Sequence, residues 1–188
     1  MTPKPNIIGL TGRKGSGKDE AATALVQCGF VHLKFAMPLK LMLRSLLNFR
    51  QVNPAEIERM IEGDLKEVGT PALDGRSPRH AMQTLGTEWG RREIGDDLWT
   101  GVVRDRAAKE MCHVVISDVR FPNEAEMVRA LGGEVWRIAR PGCAGDGHPS
   151  ETGVESIEPD TVIWNDGPSA FRFRSEVTLI WQGRFGAH

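Results

Sequence analysis

An α/β fold on a mostly parallel sheet is what this sequence predicts, on three observations. Short apolar runs of strand type alternate with longer helix-type segments along the chain. The first such run closes on glycine and leads straight into an Ala-rich helical stretch. No shift in composition divides the 188 residues, and 40% hydrophobic content suffices for one domain with a sizeable core.

The elements follow in order. "IIGLTG" (Ile7–Gly12) reads as a buried strand. "KDEAATALVQCG" has acids in its first turn and stops at Gly29, as a helix does. "FVHLKFA" (Phe30–Ala36) predicts a second strand, and Pro38 suits the first turn of the helix "PLKLMLRSLLNF". "NPAEIERMIE" begins another helix, and Gly63–Ser77 reads as a loop or mobile insertion. Helices are expected from near Pro78 ("SPRHAMQTLGTEWGRREIG") and over "DDLWTGVVRDRAAKEM". "HVVISDVR" is a core strand running into charge, "PNEAEMVRALGG" a helix and "EVWRIAR" a strand. "PGCAGDGHPSETG" has loop chemistry, "DTVIWNDG" a short strand and turn, and "PSAFRFRSEVTLIWQ" the last helix.

Net charge of -1 argues against a general nucleic-acid or membrane-surface protein. The balance is nevertheless local. Residues 1–50 hold eight Lys/Arg against two acids, whereas residues 145–170 hold six acids and no Lys or Arg. A basic first quarter suits a small anionic ligand. Three widely spaced cysteines form no C-x-x-C pair, which fits a reduced, cytoplasmic setting. No apolar run suits a signal peptide or a membrane span.

The first motif is "GRKGSGKD". Glycines let backbone N–H groups turn inward, and the following helix offers its positive end to an anion. Gly12, Gly15, Gly17 and Lys18 meet these demands between a predicted strand and helix, with Ser16 inside the loop. The usual Ser or Thr after the lysine is Asp19 here. A carboxylate can hold magnesium directly or through water, and it can also cap the helix. The second motif is "VVISDVRFPNEAE", which delivers Asp118 to a strand end, where ligands of open α/β sheets bind. Arg120 can fork onto a phosphate, or simply pair with the acid.

Together "GLTGRKGSGKDEAA", "LKFAMPLK", "QTLGTEWGRR", "DDLW" and "SDVRFPNEAE" resemble the deoxynucleoside monophosphate kinases of tailed bacteriophages. These belong to the P-loop kinase group related to adenylate kinase. The similarity spans Ile7 to Gly167, and Asp after the loop lysine is usual in that family; where many relatives next have Thr, this chain has Glu20.

The resemblance implies a three-layer P-loop kinase fold in a single domain, 1–188. It would have a helical acceptor-binding region at about 37–100 and a lid at about 140–152. It implies ATP and Mg2+, held by Gly12, Gly15, Ser16, Gly17, Lys18 and Asp19, with Asn165 near the adenine and Asp118 as a second metal-side carboxylate. Lys14 would approach the acceptor phosphate, and a second cation there offsets the crowding of negative oxygens. Phe35, Ala36, Arg79, Gly86, Trp89, Arg92, Trp99, Asp118, Arg120 and Glu124 fall where the family meets its monophosphate nucleotide. Glu124 could orient Arg120 or form a helical ion pair with it. Arg137 and Arg140 flank the lid and either could stabilise charge on the transferred group, with Arg140 counted among the catalytic candidates; His148 within it lacks a partner at metal-ligand spacing.

The expected partners are small nucleotides, with no nucleic acid or membrane; the resemblance leaves a homodimer open, and the setting is cytoplasm, a host's if the source is viral. Two alternatives stand beside this reading. One is a kinase for another phosphorylated acceptor of the dephospho-coenzyme A kind, and the other is a non-catalytic ATP-binding regulator. A nucleic-acid-processing ATPase is disfavoured by the near-neutral charge.

Overall fold

The structure, a computed structural model, describes residues 5–143 and 153–185. Five strands form one sheet: β1 (Ile7–Thr11), β2 (Val31–Leu33), β3 (Val114–Ile116), β4 (Glu134–Ala139) and β5 (Thr161–Trp164). Their spatial order is β2-β3-β1-β4-β5 and every pairing is parallel. Parallel strands need helical crossovers, which cover both faces. The side chains obey this by alternating. Ile8, Leu10, Val115, Trp136 and Ile138 pack with Leu25 of α1 (Lys18–Gln27) and Val177 of the last helix, here α7 (Ala170–Phe185). Ile7, Val114, Ile116 and Val135 pack the other way, with Val103 of α5 (Leu98–Ala107) and Val128 of α6 (Pro122–Ala130). Gly9 suits that second face, where an added Cβ would stand 3.0 Å from methyls of Val119 and Val128.

The described residues group into two compact units, 1–35 with 102–188, and 36–101. The sheet and its covering helices belong to the first. The second is helical: α2 (Met37–Phe49), α3 (Pro54–Ile61), α4 (Pro78–Thr84) and the start of α5. Leu43, Leu47, Ile57, Met60, Ile61 and Met82 form its core. Asn53 and Ser77 cap α3 and α4 by accepting N–H groups of Ala55 and His80 at 2.9 and 3.2 Å.

Three local expectations change. β2 ends at Leu33, so Lys34 and Phe35 lie past the strand. Gly63–Ser77 is not an open insertion: Thr70 exchanges backbone bonds with Arg76 and Gly75, and Leu65, Ala72 and Leu73 pack on the helical core. The helix from Pro78 widens into a π-helical segment over Leu85–Ile94. Within it Gly90 lies close against the Trp99 indole, which an added Cβ would meet at 2.4 Å.

Candidate functional site

β1 ends at Thr11, and the chain turns at once through Gly12, Gly15 and Gly17, at φ 144°, 80° and 106°. Only glycine adopts such angles without strain. A Cβ on Gly12 would meet the Ile138 carbonyl at 2.3 Å, and one on Gly17 would meet Asn165 Nδ2 at 2.4 Å. The loop is therefore seated against the ends of β4 and β5. Asn165 completes the seat: its Nδ2 donates to the Ser16 carbonyl at 2.8 Å, and its N–H donates to the Ala139 carbonyl at 2.7 Å. Gly17 is the N-cap of α1 and supplies no side-chain cap. The first-turn N–H groups thus face the loop's hollow with the helix's positive end.

Inside the loop, Lys18 Nζ donates to the carbonyls of Gly12 and Arg13 at 2.7 and 2.9 Å. Ser16 is 1% exposed and its Oγ has no hydrogen-bond partner among the described residues. A buried, unpaired hydroxyl in a glycine loop fits a ligand that brings acceptor oxygens. A cleft of about 400 Å³ opens beside it, lined among others by Gly12, Arg13, Ser16, Arg137, Arg140 and Trp164. Arg13 crosses its mouth, donating to the Cys143 carbonyl at 3.2 Å and pairing with Glu155. Arg137 is tied to the carbonyls of Val154 and Ile157, whereas Arg140 is exposed. Of the expected lid, residues 144–152 lie outside the described residues, and His148 with them.

Asp19 does not cap α1 from the loop. Its carboxylate, 84% exposed, receives Lys34 Nζ at 2.9 Å. Burial pushes its pKa up, but the Lys34 hydrogen bond and the charges of Lys34, Lys18 and His32 outweigh this and leave it below the usual carboxylate range. An exposed, ionised carboxylate one residue beyond the phosphate lysine suits a hard divalent cation, which takes one or two carboxylates and completes its shell with phosphate and water. Glu20 points elsewhere: it pairs with Arg174 of α7 at 2.8 Å. At the end of β3, Asp118 Oδ1 accepts the Phe35 N–H at 2.8 Å, which fixes the turn leaving β2.

Glu124 is 3% exposed and accepts the backbone N–H groups of Arg120 and Phe121 at 2.7 and 3.1 Å. It caps α6 and shapes the turn presenting Arg120, where an ion pair with the guanidinium was one expectation. Arg120 and Lys14 are exposed.

The remaining expected residues, Phe35 apart, belong to the helical unit. Trp99 is 5% exposed and its Nε1 donates to the Gly86 carbonyl at 2.9 Å, so these two support each other. Trp89 lies 6.1 Å from it, centroid to centroid, and is 40% exposed. Arg79 pairs with Glu67, Arg92 is exposed, and Ala36 is half-buried before α2. Phe35, in the first unit, packs in the sheet's core. Lys34 and Glu155, which the sequence did not single out, stand beside the loop in ion pairs with Asp19 and Arg13, and Asn165, expected near the adenine, bonds the loop backbone. For Lys34 the signal was its place just past a strand, hidden by extending that strand to Ala36.

Among solved structures, a Thermus thermophilus protein titled TT1252 aligns with TM-score 0.53 and 15% identity, over 97% of this chain and 99% of that one. The shikimate kinase of Aquifex aeolicus vf5 aligns with TM-score 0.50 and 11% identity, over 96% and 99%. Such likeness speaks for the fold, and with the loop and strand order it defines a P-loop kinase fold. A protein of Acanthamoeba polyphaga mimivirus, provisionally named a deoxynucleotide monophosphate kinase, is 34% identical over 91% of this chain and 93% of its own. The deoxynucleoside-5'-monophosphate kinase of Escherichia phage T5 is 36% identical over 42% of this chain and 35% of that protein. The family described as deoxynucleotide monophosphate kinase matches residues 65–171, and this chain belongs to that family. No described helix is long and apolar enough to cross a membrane.

Proposed function

We propose that this kinase moves the γ-phosphoryl group of ATP to a deoxynucleoside 5'-monophosphate, giving the diphosphate and ADP for DNA precursor synthesis in the cytoplasm. The observation that carries the reading is the glycine loop seated by Asn165, in a chain of this family. An acceptor phosphate oxygen attacks the γ-phosphorus in line, the bond to the β,γ-bridging oxygen breaks, and ADP leaves with that electron pair. Gly12 to Lys18 hold the donor phosphates through backbone N–H groups, and Lys18 exchanges its carbonyl partners for phosphate oxygens. Asp19 would hold Mg2+, which supplies charge neutralisation on the phosphates when bound.

Arg120 and Lys14 are the exposed cations proposed for the acceptor phosphate, and Arg140 for the transferred group. In the helical unit, Arg79, Arg92 and Trp89 have the chemistry for a phosphate or a base.

ADP release, coupled to a reporter, is measured with ATP, Mg2+ and each common deoxynucleoside and ribonucleoside monophosphate in turn. Release that depends on a deoxynucleotide acceptor is expected, and a flat response to all acceptors overturns the reading. Arg120→Ala is expected to lower turnover about a hundredfold with an unchanged thermal midpoint. Unaltered kinetics would remove Arg120 from the acceptor site.

A further inference from the structure

No step above uses Lys34, yet its placement is specific. It leaves β2 one residue past Leu33, at the sheet edge where the phosphate loop emerges, and its ammonium sits 2.9 Å from Asp19 Oδ1. Phe35, the next residue, is fixed by Asp118, so the backbone that carries Lys34 is anchored on its far side. The Lys34 side chain as a whole is 26% exposed, its stem held against the fold, while the side chain of its partner is 84% exposed. A carboxylate so open to water gains little stability from an ion pair. Folding therefore does not account for the arrangement.

Charge does. Asp19 stands where other phosphate loops have a neutral hydroxyl, so a full negative charge adjoins the place proposed for the donor phosphates. A bare carboxylate there would repel them. A divalent cation cancels that repulsion once bound, but only a tethered cation cancels it beforehand. Lys18 and His32 also lend charge to Asp19. Lys18, however, bonds the loop's own carbonyls, and His32 shares a 2.7 Å hydrogen bond with Ser117. The hydrogen bond to the carboxylate itself comes from Lys34.

We propose that Lys34 is a positioning residue acting through Asp19: it holds and neutralises the carboxylate until the divalent cation that accompanies the nucleotide displaces it. The inference rests on the nucleotide-binding reading above. It predicts that Lys34 matters for nucleotide affinity only while the cation is absent.

ADP binding to the full chain is measured by calorimetry, once in EDTA and once at saturating Mn2+. The proteins compared are wild type, Lys34→Met, Lys34→Arg, Asp19→Asn and the double variant Lys34→Met with Asp19→Asn. Lys34→Met should weaken ADP binding about fivefold in EDTA, the size of one close charge interaction in water, and leave it unchanged with Mn2+. Lys34→Arg should match wild type in both media, and Lys34→Met should have no effect in the Asp19→Asn background. Lys34→Gln serves the same purpose if the Met variant does not fold. An equal loss in both media makes Lys34 a direct phosphate contact and overturns the inference. No loss in EDTA reduces it to a surface ion pair and overturns it as well. Both results leave the kinase reading standing, whereas a wild type that binds no ADP in either medium removes both.

Discussion

Asn165 shows how much one side chain contributes to the loop's shape. Its amide is both donor to Ser16 and neighbour to the Cα of Gly17, so it fixes the loop at the point where backbone N–H groups converge. Asn165→Ala removes one hydrogen bond worth about 1 kcal/mol, and ADP affinity should fall about fivefold in a calorimetric titration. Asn165→Asp should lose more, because a carboxylate repels the Ser16 carbonyl as well as the phosphates. Asp19 makes a different kind of prediction. Its folded pKa lies below the ordinary value, so its charge adds stability above that ordinary value and loses it as pH falls through the lower one. Water around the exposed carboxylate keeps that gain small, so a slight thermal advantage of wild type over Asp19→Asn should be flat above about pH 5 and vanish on further acidification. An advantage that persisted into strong acid would show that the Lys34 pairing is not its source. At this scale the sequence identified types better than contacts. Lys18, Asp19 and the loop glycines were legible because backbone geometry demands them at fixed spacing. The bond of Asn165 to Ser16 was not, since it depends on how separate turns meet in space. Glu124's bonds to Arg120 and Phe121 N–H are local to the start of α6, where the third helical position suits such a contact.

Among the elements, the π-helical segment ties backbone form to packing most directly. Leu85–Ile94 widens where the Trp99 indole lies against Gly90, with the ring nitrogen anchored on the Gly86 carbonyl. Gly90→Ala forces a methyl into the ring and should destabilise by about 1–3 kcal/mol, visible as a lower urea midpoint and altered Trp fluorescence. An Ala variant as stable as wild type would mean that the indole is free to shift. The sequence marked this region as one helix from its Ser77–Pro78 start. What a start signal omits is the size of the opposing side chain. The same omission made Gly63–Ser77 look open: Gly, Pro and charge describe the turns, but Leu65 and Leu73 decide that those turns are packed.

For the molecule as a whole, the parallel sheet was legible from alternation of strand and helix, and its two-faced burial follows from that alone. The strand order was not, because a parallel strand's neighbours are chosen through crossovers of variable length. That order has a bearing on synthesis. β1 spans Ile7–Thr11, yet its neighbours on the two sides begin at Val114 and Glu134, and the residue that braces its loop is Asn165. Pairings so far apart in sequence form slowly and pay a large closure entropy. On the ribosome, β1 would wait until synthesis had passed Asn165 before its anion cradle takes shape, and a nascent chain arrested ahead of Asn165 would present the glycines without their clasp.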